Sequence, residues 1–240
     1  MKLTQSDIGH LNSILNVCNL VDISAFILSE KGIRGVNGSK SCAIIEDNSK
    51  TPKIEGSAML GLNNLKILKQ RLDLFKNDAK FNIEAKQKAN GDFTHLDIKG
   101  SNASVMFRVT NPVKIKAPIG IDDTAVKNII ITREEAQLIL NAEKAMSADK
   151  LTIYVSTDNS VRVEFADKEN DIFVIDLSNK AISVNEATSF TSYYFADVFS
   201  PLLRAAAAER EEIEVNLFEA SAQIAVDGYK LILLSPMDSD

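Results

Sequence analysis

The sequence predicts an α+β chain made of two units on one plan, each carrying two helices on a sheet-rich layer. Three observations predict this. Helical and strand periodicities alternate along the chain, and the order in which they come is run through twice. The segment between the two runs, "NPVKIKAPIGIDD" at 111–123, holds two of the five prolines and has no helical period. The expected organisation is therefore a first domain at 1–110, a connector at 111–123 and a second domain at 124–240. With 240 residues, 45% hydrophobic and 25% charged, each half has the length and composition to bury a core of its own.

In the first half, Ile8, Leu11, Leu15 and Cys18 recur at helical spacing behind "TQSD", where Thr4 and Asp7 have the form of a capping box, so a helix is expected over 5–20. The runs "DISAFILS", "GIRGVNG", "CAIIE" and "IEGSAML" then read as strands. A second helix is expected over 61–76, since Leu65, Leu68, Leu72 and Phe75 make one apolar stripe. Strands follow at "KFNIEAKQK", "THLDIKG" and "SVMFRVT", with Asn90-Gly91 as a turn.

The second half repeats the order. Thr132 and Glu135 form a capping box for a helix over 132–147. "LTIYVST", "VRVEFAD" and "DIFVIDLS" are its first strands, a helix lies within 193–208, and "IEVNLFEA", "AQIAVD" and "YKLILLS" close the chain. Pro201 leaves two readings for the fourth helix: a short one capped by Ser200 with proline at its first position, or a longer one kinked at Pro201.

Composition excludes several classes. The N-terminal stretch has no apolar signal-peptide core, and runs such as "NIII" and "LILL" are far below bilayer length, so no membrane partner and a cytoplasmic location are expected. Cys18 and Cys42 stand apart and read as small buried hydrophobes. His10 and His95, the two histidines, sit in unlike contexts, a helix and a strand surface, and no GxxxxGK or GxGxxG occurs. The acid groups Asp122-Asp123, Glu134-Glu135 and Glu209 to Glu214 read as connector, helix N-terminus and solvated loop. No catalytic residue, metal or cofactor is therefore expected, and the chain is read as a non-enzyme.

The chain carries a formal charge of −6, yet the expected helix at 61–76 carries Lys66, Lys69, Arg71 and Lys76 against Asp73, net +3. The four expected helices together come to +1 and everything else to −7. Two readings stand for the cationic helix: a solvated face, or a surface for nucleic-acid backbone, which needs positive charge and no base-reading groups.

Three local stretches carry a family resemblance. "KILK" at 66–69 is similar to the Lys-Ile-Leu-Lys of an inner helix in sliding clamps, the ring-shaped processivity factors of DNA polymerases. "GIRGVNGSKSCAIIE" at 32–46 resembles their early strand-turn-strand, in a form nearest to tailed-bacteriophage clamps, and "GYKLILLSP" resembles their last strand before a short acidic tail, here "MDSD". The order of elements matches over nearly the whole chain.

The resemblance implies a closed homotrimer in which six domains of the clamp fold surround duplex DNA, helices lining the bore and sheets outside. It implies a replicative DNA polymerase and an ATP-dependent clamp loader as partners, and the host cytoplasm as location if the protein is viral. By matching positions Lys66, Lys69, Lys144 and Arg204 face DNA. Val105, Phe107 and Arg108 in "ASVMFRVT" meet Asp171, Phe173, Ile175 and Asp176 in "DIFVIDLS" of the next subunit, Arg108 approaching Asp171 or Asp176. The alternative there is an intramolecular edge covered by a loop. Val36, Ile115, Ile119, Leu234 and Pro236 match a pocket for partner peptides, or simply pin the connector to the sheet. The first helix departs from the family in offering His10 and asparagines where many clamps have lysines, which implies a weaker grip. The alternative function is a duplicated α+β oligomeric scaffold that does not encircle DNA.

Overall fold

In a computed structural model of the chain, the described residues are 2–30, 32–46, 59–116, 125–167, 169, 171–183 and 189–234. They form two compact units, Met1–Gly38 with Ala43–Ile119, and Ser39–Cys42 with Gly120–Asp240.

The first unit begins with α1 (Gln5–Leu20). Its capping box is made: the Thr4 hydroxyl accepts from the Asp7 amide while the Asp7 carboxylate accepts from the Thr4 amide at 2.7 Å. Ile8, Leu11, Ile14, Leu15, Val17 and Cys18 are its buried face. An antiparallel sheet follows in the spatial order β4-β1-β2-β3, from β1 (Ala25–Ser29), β2 (Gly32–Val36), β3 (Cys42–Glu46) and β4 (Leu60–Asn63). The turn between β1 and β2 is tight because Gly32 adopts φ 98°.

α2 (Leu65–Asp73) is shorter than the expected 61–76 at both ends. Leu60 ends the expected strand "IEGSAML", and the strand runs on through Gly61–Asn63, because Leu62 pairs with Phe26 of β1 as Leu60 pairs with Leu28. Asn64 then turns the chain in a left-handed conformation at φ 51°. At the other end Phe75 leaves the helix but stays buried, stacked on Phe81 at 5.8 Å between centroids. Leu65, Leu68 and Leu72 are fully buried, each worth about 1.5–3 kcal/mol of transfer free energy.

A second sheet, β5-β6-β7, is an antiparallel meander of β5 (Asn82–Gln87), β6 (Phe93–Lys99) and β7 (Ser104–Arg108). Asp78 fastens its last turn: the carboxylate accepts from the Ser101 amide at 2.6 Å and hydroxyl at 2.7 Å and from the Lys80 amide at 2.8 Å. The Ser101 hydroxyl and amide hold Asp78 below the ordinary carboxylate range.

The start of the connector is packed onto β4. Thr110 and Gly61 form an isolated bridge, and a Cβ at Gly61 would stand 2.5 Å from the Thr110 carbonyl oxygen and 3.1 Å from Ile115 Cδ1. Pro112–Lys114 is one 3-10 turn, capped by the Asn111 side chain, which accepts from Val113 N at 3.0 Å. Gly61→Ala is expected to lower stability by about 1–3 kcal/mol, read as a shifted urea midpoint at unchanged slope.

The second unit starts with β8 (Lys127–Thr132) and α3 (Arg133–Met146), whose capping box of Thr132 and Glu135 is also made. One antiparallel sheet runs β11-β10-β9-β13, from β9 (Lys150–Val155), β10 (Val161–Ala166), β11 (Ile172–Asp176) and β13 (Phe190–Phe195). The other includes β12 (Ile182–Ser183), β8, β14 (Glu212–Phe218), β15 (Ser221–Val226) and β16 (Tyr229–Leu234) in the order β12-β8-β14-β15-β16.

Three features of this unit are not settled by the sequence alone. "NIII", cited above only as too short to span a bilayer, lies within strand β8, paired with β14 along its length. Residues 193–195 are strand, since Ser192 and Tyr194 alternate inward and β13 pairs with β9 from Phe190 to Phe195. α4 (Ala196–Glu209) runs through Pro201 at its sixth position, which agrees with the longer of the two readings and excludes a short helix beginning there. α1 packs on α2, and α3 on α4. No helix among the described residues is long and apolar enough to cross a membrane.

Candidate functional site

Each unit presents a pair of helices with one buried and one exposed face, and the charge on those faces is less than the sequence count suggests. With the observed boundaries α1 carries −1, α2 +2, α3 −1 and α4 −1, so the helices total −1. The expected segregation of net charge is thereby corrected. Lys76 lies beyond the end of α2, and Asp197 and Glu209 outnumber Arg204 within α4.

On α2 the cations have separate fates. Arg71 turns toward β7, its guanidinium 5.4 Å from the Phe107 ring centroid and its Nη1 3.4 Å from the Met106 carbonyl oxygen. Lys69 donates to Asp73 one turn on, and its side chain is only 19% exposed. Lys66 is exposed and has no ion-pair partner among the described residues. The same holds for Lys144 on α3 and Arg204 on α4, two helices packed against each other. α1 offers a neutral polar face: His10 contacts the Ser6 hydroxyl at 3.2 Å, and Asn16 and Asn19 are exposed.

The expected interface strands are both at the ends of their sheets among the described residues. On β7, Phe107 is buried and Val105 half-buried, while Ser104, Met106 and Arg108 are exposed. On β11, Ile175 is buried, and Ile172, Phe173, Val174 and Asp176 are exposed. Unpaired apolar strand edges are in general prone to pair with another chain.

The hydrogen bonds tell which backbone groups are free. Val109 N donates to Thr94 O and Gly100 N to Ala103 O, so Val105 and Phe107 spend their amides on β6, and Ser104, Met106 and Arg108 direct theirs outward. On β11, Leu177 N donates to Val161 O and Asp167 N to Asp171 O, so by the same alternation Ile172, Val174 and Asp176 face outward. Asp176 already accepts from Arg162 Nε at 3.2 Å, whereas Asp171 has no ion pair among the described residues.

Glu135 links the α3 cap to the end of this strand. One carboxylate oxygen accepts from Thr132 N and Oγ1 at 2.8 Å, and the other from Ser178 N at 2.6 Å and Oγ at 2.8 Å. Partial burial works to raise its pKa, but the bonds from Ser178 and Thr132 outweigh it and hold the group below its ordinary 4.5. This stabilisation is fully present above pH 4.5 and is lost as pH falls through the lower folded-state value. Glu135→Gln is therefore expected to lower the urea midpoint at neutral pH, with the gap to the parent chain closing in acid.

Of the expected peptide-pocket residues, Val36 ends β2 half-buried, Ile115 is half-buried against Gly61, and Leu234 ends β16. Ile119 and Pro236 lie outside the described residues, as do Asp122-Asp123. Among the described residues no group of three His, Cys, Asp or Glu side chains is placed to hold a metal. Glu209 accepts from Asp227 N at 3.0 Å, Glu211 pairs with Arg133 at 2.6 Å, and His95 lies 3.3 Å from Asp97. An open depression on the β11-β10-β9-β13 sheet is lined by Tyr154, Ser156, Arg162, Glu164, Asp176 and Phe190 among others, with no His or Cys. Sequence reasoning missed the fully buried Lys127, whose Nζ donates to Asn159 Oδ1 at 3.4 Å, and the Arg71–Phe107 contact, neither of which has a local signal.

No protein-family model matches the sequence, and no curated protein matches it. Solved structures do. One, of the C-terminal region of FEN-1 bound to A. fulgidus PCNA, is similar with a TM-score of 0.67 and 16% identity, over 98% of this chain and 98% of that one. Another, Proliferating Cellular Nuclear Antigen from Entamoeba histolytica, is similar with a TM-score of 0.64 and 14% identity, again over 98% of each chain. The α+β class expected from the sequence is thus borne out, and the fold is that of these clamp chains from end to end.

Proposed function

We propose that this chain is a sliding clamp: three copies close into a ring around duplex DNA and tether a DNA polymerase to it. The observation that carries the reading is the likeness to two PCNA chains over 98% of both lengths, since an end-to-end match leaves little of this chain outside the shared fold. The proposed organisation is clamp domains at 1–110 and 124–240 joined by 111–123. The resemblance of 32–46 to tailed-bacteriophage clamps makes a phage replication protein, acting in the host cytoplasm, the proposed setting.

Closure follows from the two strand ends. Placing β7 antiparallel to β11 of the next copy, centre to centre, sets Ser104 opposite Asp176, Met106 opposite Val174 and Arg108 opposite Ile172. In every pair both residues have outward backbone groups, and both side chains are on the exposed face. Val105, Phe107, Phe173 and Ile175 then continue one apolar layer. In this register Asp176 shares the face of Arg108 but lies four positions along the strand, whereas Asp171, the acid without an ion pair among the described residues, is one position from Ile172 on the other face, so the proposed approach of Arg108 to Asp171 runs around the end of β11.

Lys66, Lys144 and Arg204, with Lys69 once freed, are the proposed phosphate-facing groups. Diffuse, screened contacts of this kind hold DNA without fixing its register, which permits sliding. A polymerase held on the ring meets the primer end at the effective concentration set by its tether, so recapture becomes intramolecular. By analogy with A. fulgidus PCNA, which binds the C-terminal region of FEN-1, partner peptides would dock at Val36, Ile115, Ile119, Leu234 and Pro236. An ATP-dependent loader would open the ring, and the chain itself is proposed to have no catalytic activity.

Light scattering tests the assembly. A ring has three times the 26.3 kDa chain mass, about 79 kDa, over a range of concentrations; a monomer at every concentration would remove it. One observation favours a second reading: four helices with net charge −1 suit a trimeric scaffold that does not hold DNA. A trimer that is not retained on circular duplex DNA after loading would select the scaffold.

A further inference from the structure

We infer that Asp73 sets how tightly the α2 face grips a polyanion, by occupying Lys69 one turn away; this rests on the reading that the face meets DNA. Asp73 has no evident structural reason to be an acid. It is the last residue of the nine-residue α2, where a negative charge opposes the helix dipole. Its pairing runs Lys at i to Asp at i+4, the less favourable order for a helical ion pair. Gln70, three residues before it, is neutral, Lys76, three residues after it, lies beyond the helix and makes no ion pair among the described residues, and Arg71 is turned to Phe107.

Its consequence for the surface is large. Without Asp73 the face would offer Lys66 and Lys69 as adjacent cations, one turn apart; with it Lys69 is drawn down and half-hidden, and Lys66 alone stands free among the described residues. A phosphate approaching Lys69 must displace Asp73 and face its charge at close range. An exposed i,i+4 pair is worth a factor of about two in equilibrium constant, so the restraint is easily broken and easily remade. It adds weak friction rather than a lock, which suits a ring that must slide. In a ring of three copies the factors multiply, to about eightfold.

The test measures equilibrium binding of a short fluorescent linear duplex to the assembled protein across a salt series, for the parent chain, Asp73→Asn, Lys69→Ala, the double variant and Lys66→Glu. Asp73→Asn should tighten binding about eightfold and steepen the salt dependence, and the double variant should bind no tighter than Lys69→Ala. Parent-like binding by Asp73→Asn, with Lys66→Glu still weakened, overturns the role of Asp73 while leaving the DNA-binding reading intact. Tightening that survives in the double variant also overturns it, because the gain would then come from charge alone. No effect of Lys66→Glu or Lys69→Ala overturns the DNA-binding reading itself. Unchanged circular dichroism and native mass show that each variant retains α2 and the assembly.

Discussion

Val174→Pro yields a folded chain that no longer associates, with a native mass of 26.3 kDa in place of about three times that value. Proline removes one amide donor, and at Val174 that donor points away from β10, into the open edge. The bonds of Phe173 and Ile175 to β10 are left in place, and edge positions are where sheets tolerate proline. Across the proposed seam the loss is larger, because the Met106 carbonyl opposite keeps only the long 3.4 Å contact from Arg71 and the proline ring holds the strands apart. A lost backbone hydrogen bond with an under-satisfied acceptor and strands held apart comes to about 2–4 kcal/mol per seam. Each 1.4 kcal/mol is tenfold in association, and a closed trimer has three seams, so the assembled species should vanish at micromolar concentration. Phe173→Pro is the contrast: its amide belongs to β10, and it should damage the fold itself. Equal behaviour of the two variants would contradict the assignment of inner and outer backbone groups.

The triple reversal Lys66→Glu, Lys144→Glu, Arg204→Glu leaves the native mass unchanged and abolishes duplex binding. All three side chains are exposed and none has an ion-pair partner among the described residues, so substitution breaks no internal contact. Each phosphate contact contributes about 0.9 to the slope of log affinity against log salt, so loss of three contacts flattens it by about 2.7 for each copy that meets the duplex, and by about 8 where all three copies do. Added glutamates repel the backbone as well, and binding at physiological ionic strength should fall at least about a hundredfold. Binding that keeps its salt slope would move the contact surface away from these helices.

Helices begun by a local signal were legible from the sequence. Thr4 with Asp7 and Thr132 with Glu135 are three residues apart, and both boxes are closed in the structure. The stripe Leu65, Leu68, Leu72, Phe75 was also legible, because the period of a helix decides which residues share a face. What failed was decided by partners distant in sequence. Gly61–Asn63 became strand through β1, and Phe190–Phe195 became strand through β9, although "SYYF" runs without a break into the helical "ADVF".

The same division holds at the candidate site. The pairing of Lys69 with Asp73 is readable from i,i+4 spacing, whereas the diversion of Arg71 to Phe107 crosses to another element. Counting charges over 61–76 therefore overstated the cationic face, and the net charge of the helices turned from +1 to −1 once their ends were known. Exposure of Lys66, Lys144 and Arg204, not net charge, is what remains of the electrostatic argument.

The central claim is topological, and a covalently closed ring tests it most directly. Met106→Cys and Val174→Cys face each other in the proposed seam, while the native Cys18 and Cys42 are buried. Reduced chains would be mixed dilute with closed circular duplex DNA, concentrated so that rings assemble, and oxidised. The account predicts cross-linked trimers that stay with the circle through denaturing detergent and are released when one cut makes it linear. Cross-linked trimers that leave circular and linear DNA alike under detergent would contradict it.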